Sequence, residues 1–184
     1  METKSLMRKI LRDVTVEAAQ EFDRNFERQA FFSEAWTRKK SPSKGGHILV
    51  DTGSLRRSIS ARSDDNSVTF SSSLPYSAIH NDGGDITVTA KMKRYFWHRY
   101  YATCGRFTRK KNGQLSGSRK QLRLSDEAEF WKRMALMKVG AKVKIPKRRF
   151  LGAAPELESS ISMIIENDVK EYVEKKLQNI AKQK

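Results

Sequence analysis

Cysteine occurs once in the 184 residues, at Cys104, which excludes an intrachain disulfide and any zinc site built on paired cysteines. A reducing compartment fits that usage. Histidine is nearly as scarce: His47, His80 and His98 stand far apart, with no second ligand at metal-binding spacing. Hydrophobic residues make up 38% of the chain, and no run approaches the roughly 18 apolar residues of a membrane span. The opening METKSLMRKILRD lacks the apolar stretch of a signal peptide, so the expectation is a protein made and kept in the cytosol, or assembled there into something larger, with no membrane contact. Acidic residues are few, 21 against 37 Lys and Arg, for a net charge of +16. Between Lys91 and Leu124 they are missing altogether, while eleven basic residues fall there. A block of one sign implies an acidic partner, which is nucleic acid, an anionic surface or an acidic protein face.

What remains is enough for one domain with a real core and too little for two comfortable ones. From Ser5 to about Gln29, apolar residues at Leu6, Ile10, Leu11, Val14, Ala18, Phe22 and Phe26 recur three or four apart, the signature of an amphipathic helix. FFSEAWTRKKSPSKGGH then reads as a loop, with Trp36 pinning it to the core. SISARS and SVTFSSS alternate with period two around an Asp-Asp-Asn turn, which predicts a β-hairpin. LPYSAIHNDGGD carries an apolar patch before a double glycine, DITVTA predicts a third strand and AKVKIP a fourth. SDEAEFWKRMALMK predicts a helix capped by Ser125 with acidic residues in its first turn. From Pro155 a second long amphipathic helix carries Leu157, Ile161, Ile164, Ile165, Val169, Tyr172, Val173, Leu177 and Ile180. The expected class is α+β: a small antiparallel sheet covered on one face by long N-terminal and C-terminal helices. The whole chain, 1–184, is expected to be a single domain. Residues 91–142 form its insertion, a basic arm followed by the Ser125-capped helix, and the glycines and charge of the arm read as an extended loop or hairpin.

Asp51-Thr52-Gly53 after an aliphatic run resembles the catalytic loop of an aspartic protease. Such enzymes need two carboxylates sharing a proton, and one copy here would require a homodimer. Arg56 and Arg57 follow directly where a buried strand should begin. The simpler reading is a capped turn, with Gly53 supplying a permissive backbone. Cys104 has basic neighbours but no histidine at a nucleophile spacing, so no catalytic residue, cofactor or metal is expected. The basic arm is the sharper feature. Lys91, Lys93, Arg94, Trp97, Arg99, Tyr100, Arg106, Arg109, Lys110, Lys111, Arg119, Lys120 and Arg123 mix cations with aromatic faces, the chemistry of holding phosphates or packing on a partner. The bland alternative is a solvated hairpin whose aromatics form a local core. Nothing in it reads as a base-reading helix.

Three segments in order, ILVDTGSLRRSI, PYSAIHNDGG and IPKRRFLGAAPE, followed by the terminal helix, resemble the phage virion morphogenesis family, which includes tail-completion proteins of Mu-like contractile-tailed phages. The residues that carry the resemblance are Asp51, Thr52, Gly53, Leu55, Ser58 and Ile59; Pro75, Tyr76, His80, Gly83 and Gly84; and Ile145, Pro146, Arg148, Phe150, Leu151 and Gly152. It covers roughly 22–90 and 143–181. Ser77 replaces a common alanine, and Lys147 and Arg149 stand where the family often has a small residue and a proline. The resemblance implies a structural role at the head-tail junction or tail end. It further implies self-assembly into a ring, six copies as in related tail-end proteins, around the DNA path and against other tail or neck proteins. By the same resemblance Asp51, Thr52, Gly53 and Leu55 form the turn into the first strand. A non-specific nucleic-acid-binding accessory protein working outside a virion is the rival reading.

Overall fold

Helix α1 (Glu2–Arg28) and helix α6 (Pro155–Lys182) are the two longest elements of a computed structural model that describes residues 2–39 and 46–182. The chain divides into two compact units, the first taken from Met1–Trp36, His47–Asp82 and Lys147–Lys184, the second from Thr37–Gly46 and Gly83–Pro146. The class is α+β, as expected, with long terminal helices. Among the described residues the antiparallel strands, however, form three separate two-stranded ladders in place of one small sheet.

In the first unit the apolar face of α1 meets α6 running the other way. Ala18 and Phe22 share a cluster with Phe31, Ala154 and Leu157, while Lys9 pairs with Asp168 and Glu171. One helical turn along α1, Phe26 centres a second cluster with Trp36, Leu55 and Phe150, and Leu151 packs on both. Burying large apolar side chains contributes about 1.5–3 kcal/mol each, so these two clusters are the unit's main source of stability. The expected hairpin is present: β3 (Ile59–Ser63) pairs antiparallel with β4 (Val68–Ser72). Asp64 closes its turn by accepting from the backbone N–H groups of Asn66 and Ser67, at 2.9 and 2.7 Å. The loop predicted after α1 is partly structured, with the short strands β1 (Ala30–Phe31) and β2 (Glu34–Ala35) paired to each other. Trp36 does pin it, buried and donating from Nε1 to the Arg149 carbonyl at 2.6 Å. The Pro42 and Gly45 part of that loop lies outside the described residues. Two short helices, α2 (Ser54–Arg57) and α3 (Ser77–Asp82), complete the unit.

The second unit corrects the reading of the basic arm. Residues expected to be an extended loop form helix α4 (Ala90–Cys104), capped by Thr89, whose hydroxyl accepts from the Met92 N–H. The following helix, α5 (Arg119–Leu136), starts well before the expected cap: Ser118 caps it by accepting from the Gln121 N–H, and Ser125 lies in its interior. Serine and threonine satisfy the free N–H groups of a first turn wherever they fall, and Ser118 reaches one that Ser125 cannot. Strands β5 (Gly84–Thr87) and β6 (Lys142–Ile145), the expected third and fourth, pair with each other in register Gly84 to Ile145 through Thr87 to Lys142. They close the base of a helical hairpin. Among the described residues no helix is long and apolar enough to cross a membrane.

Candidate nucleic-acid and partner interface

The family-like segments fall into two sets. Asp51 and Thr52 are exposed; Thr52 Oγ1 accepts from the Ser54 N–H at 3.3 Å, and its carbonyl accepts from Arg57. Gly53 takes φ +72°, a conformation that favours glycine, and a Cβ there would also press on the Arg57 guanidinium. The single helical turn α2 follows and drops Leu55, 4% exposed, into the Phe26 cluster. Ser58 donates to the Leu55 carbonyl and shares a 2.7 Å hydroxyl contact with Ser72, and Ile59 starts β3 against the same cluster. Asp51 thus stands on a turn, with architecture around it. Just ahead of α3 the ring of Tyr76, which follows an exposed Pro75, meets His80 of that helix edge-on, and the His80 carbonyl accepts from the Arg148 N–H at 2.8 Å. Burial, with Arg148 nearby, pushes the His80 imidazole below its ordinary pKa. Arg148 is itself buried, Phe150 is 1% exposed, and Gly152 takes φ +139° where a side chain would collide with Arg149. These residues converge on the C-terminal half of α1.

Gly83, Gly84, Ile145 and Pro146 belong instead to the second unit, at the foot of its hairpin. There α4 and α5 face each other through Phe96 and Trp131, stacked with centroids 6.1 Å apart, and Tyr95 meets the same indole edge-on. Arg99 lies over Trp131 at 5.1 Å and pairs with Glu127 at 3.5 Å, so it serves the hairpin's interior while the other candidate cations do not. Lys91 and Arg94 are exposed and Lys93 half-buried at the start of α4. Arg106, Arg109, Lys110, Lys111, Arg119, Lys120 and Arg123 are exposed at the other end, on the 105–118 connection and the first turns of α5. Since α4 has 15 residues, the two groups are about 20 Å apart. On its outer side Trp97 stacks on Tyr101 at 5.8 Å, with Tyr100 edge-on to both, and Tyr101 is 65% exposed. The aromatics therefore divide: Phe96 makes the local core that the bland reading allowed, and Trp97, Tyr100 and Tyr101 form an outward face. Exposed cations beside a stacking surface suit a polyanion or an acidic protein.

Several positioning residues escaped sequence reading. Asn81 Oδ1 accepts from the N–H groups of both Phe150 and Leu151, at 2.9 and 3.0 Å, tying the second family-like segment to the third. Asn25, fully buried on α1, accepts from the Phe32 N–H, and Gln29 reaches the backbone of Ile48. Arg56 forms a fork on Asp23 and a further bond to Glu27, and the fork holds the Asp23 carboxyl below its usual range. Gln121, 1% exposed, accepts from Thr108 and fastens the basic connection to α5. A signal existed: a polar amide next to apolar periodic positions must find a partner when buried. Its partner was not readable.

No curated protein and no solved structure matches the chain. The model of the phage virion morphogenesis family matches residues 1–170, a continuous span that takes in the helical hairpin as well as the three segments. With that span matched, and with most of the shared segments gathered around the core of the first unit, the chain belongs to the phage virion morphogenesis family.

Proposed function

We propose that the chain acts in tail completion or head-tail joining, as a ring of like copies around the DNA path, assembled in the host cytoplasm against other tail or neck proteins. The observation that supports this most directly is the hairpin within a family-matched chain: the cations of its connection are exposed, and among the described residues Arg99 alone of the candidate cations pairs with a carboxylate of the hairpin. Screened, sequence-independent attraction is what a passage for DNA requires, since it must hold a polyanion and let it move. The stacked pair Trp97 and Tyr101 favours the rival, a nucleic-acid-binding accessory protein, because stacking faces suit unpaired bases better than a duplex.

The test is deletion of the gene from its phage with imaging of the products. Heads and tails that accumulate unjoined are the expected result, and normal particles would reject the reading. In vitro, duplex DNA should bind with steep salt dependence; a clear preference for single strands would promote the rival.

A further inference from the structure

The last turns of α6 outrun the helix they pack against. Lys9 on Asp168 and Glu171, and Phe22 beside Leu157 and Ile161, set an antiparallel register in which the start of α1 lies level with roughly residue 176 of α6. The described part of α1, which starts at Glu2, does not reach beyond that point. Ile165, Val169, Val173 and Leu177 follow one another at four-residue intervals and Ile180 falls among them, so the five share an arc of about 120°. They are 39% to 61% exposed. A single exposed aliphatic residue needs no explanation, but five along one arc do. The arc borders the α1-facing side, marked by Leu157, Ile161 and Asp168, without being part of it.

Charge along the same helix is polarised. From Pro155 to Asp168 there are four acidic residues, of which Asp168 is buried against Lys9, and no basic one; from Val169 to Lys182 four lysines outnumber two glutamates. Two copies laid parallel would set like halves together. Laid antiparallel, acidic halves meet basic ones, Ile165 meets Leu177, and Val169 meets Val173. We propose that this stripe is a self-association surface through which two copies of the chain pair antiparallel, about a two-fold axis between Val169 and Val173. The pairing is isologous, so it joins chains without closing a ring and stands independently of the ring reading. The family match ends at residue 170, ahead of Val173, Leu177 and Ile180, so the surface is argued for this chain alone. A stripe this narrow lies at the small end of specific interfaces, and micromolar pairing is expected.

Sedimentation of the full chain from about one to one hundred micromolar should show a concentration-dependent doubling of mass. V169E/V173E should weaken it at least a hundredfold with unchanged helicity, because both positions are exposed in the single chain. The near-isosteric V169T/V173T should weaken it about tenfold. In a C104S background, V169C mixed with V173C should cross-link between chains, and neither alone should. A chain monomeric throughout the range, an assembly whose mass V169E/V173E leaves intact, or cross-linking by V169C alone would each overturn the proposal.

Discussion

The two units hold their helices together in different ways. In the first, side chains substitute for missing backbone partners: Asn25, Gln29 and Asn81 satisfy loop N–H groups, Trp36 donates to the loop carbonyl of Arg149, and Arg56 forks onto α1. Polar groups there are tied into the packing. In the second, two helices meet through Phe96, Trp131 and the Arg99–Glu127 pair, Gln121 satisfies a loop N–H, that of Thr108, and most of the other cations are turned to solvent. A buried residue of the first unit is therefore read out as stability. On the function proposed above, an exposed cation of the second is read out as binding.

The sharpest way to press that contrast is Phe150→Ala. It removes one of the two most enclosed rings of the Phe26 cluster, where Phe26 lies 5.4 Å away, and should cost about 3–5 kcal/mol, seen as a large fall in the denaturation midpoint. Asn81→Ala comes next. It leaves two backbone N–H groups without their acceptor and should cost about 2–3 kcal/mol. If the alanine variant melted with the wild type, the tie between the second and third segments would not be a structural one.

These sites show which parts of the molecule were legible beforehand. The periodicity of α1 and α6, the hairpin turn at Asp64 and the pinning role of Trp36 could be read because each depends on residues close in sequence. The strand pair of Gly84 with Ile145 could not, since 61 positions separate them and nothing local sets the register. Helix α4 was hidden for another reason. Its outward side alternates cations with aromatics, so the inner face of Phe96 and Thr103 does not stand out, and the nearby Gly105, Gly113 and Gly117 pull the reading towards a loop. The local evidence lay in the caps, Thr89 and Ser118, which are small hydroxyl residues in a segment dominated by charge. Likewise α6 reads as core along its length, whereas only the part opposite α1 is covered.

His80 offers a smaller and more selective test of the first unit. Its folded pKa lies below the ordinary 6.5, because burial and Arg148 disfavour the imidazolium, so the unfolded chain takes up the proton first. The stability this group contributes is complete above pH 6.5 and is lost as pH falls from there towards the folded value. Carboxylates held low, Glu171 down to about 2 beside Lys175 and Lys9, titrate well beneath that window and do not mask it. Urea midpoints at pH 7.5 and 5.5 should therefore draw together in His80→Gln. An unchanged pH slope would place the sensitivity elsewhere.

The smallest effect on stability belongs to the second unit, and it is the one that decides whether the contrast holds. R106Q/R109Q/K110Q/K111Q neutralises four exposed cations on the connection, where the Arg109 guanidinium donates to the Gly113 carbonyl at 2.9 Å. Surface substitutions of this kind shift stability by no more than about 0.5 kcal/mol each, and relief of repulsion among neighbouring cations works in the opposite direction. The fold, fastened by Gln121 and Thr108, should survive. Duplex DNA affinity should not: every phosphate that no longer meets a cation makes the plot of log affinity against log salt shallower by about 0.9, so four would flatten it by up to about 3.6. A variant that unfolds would mean that the connection is structural after all. One that folds and keeps the full salt slope would move the DNA contact off the connection, to Arg119, Lys120 and Arg123 on α5 or to Lys91 and Arg94 at the opposite end of α4.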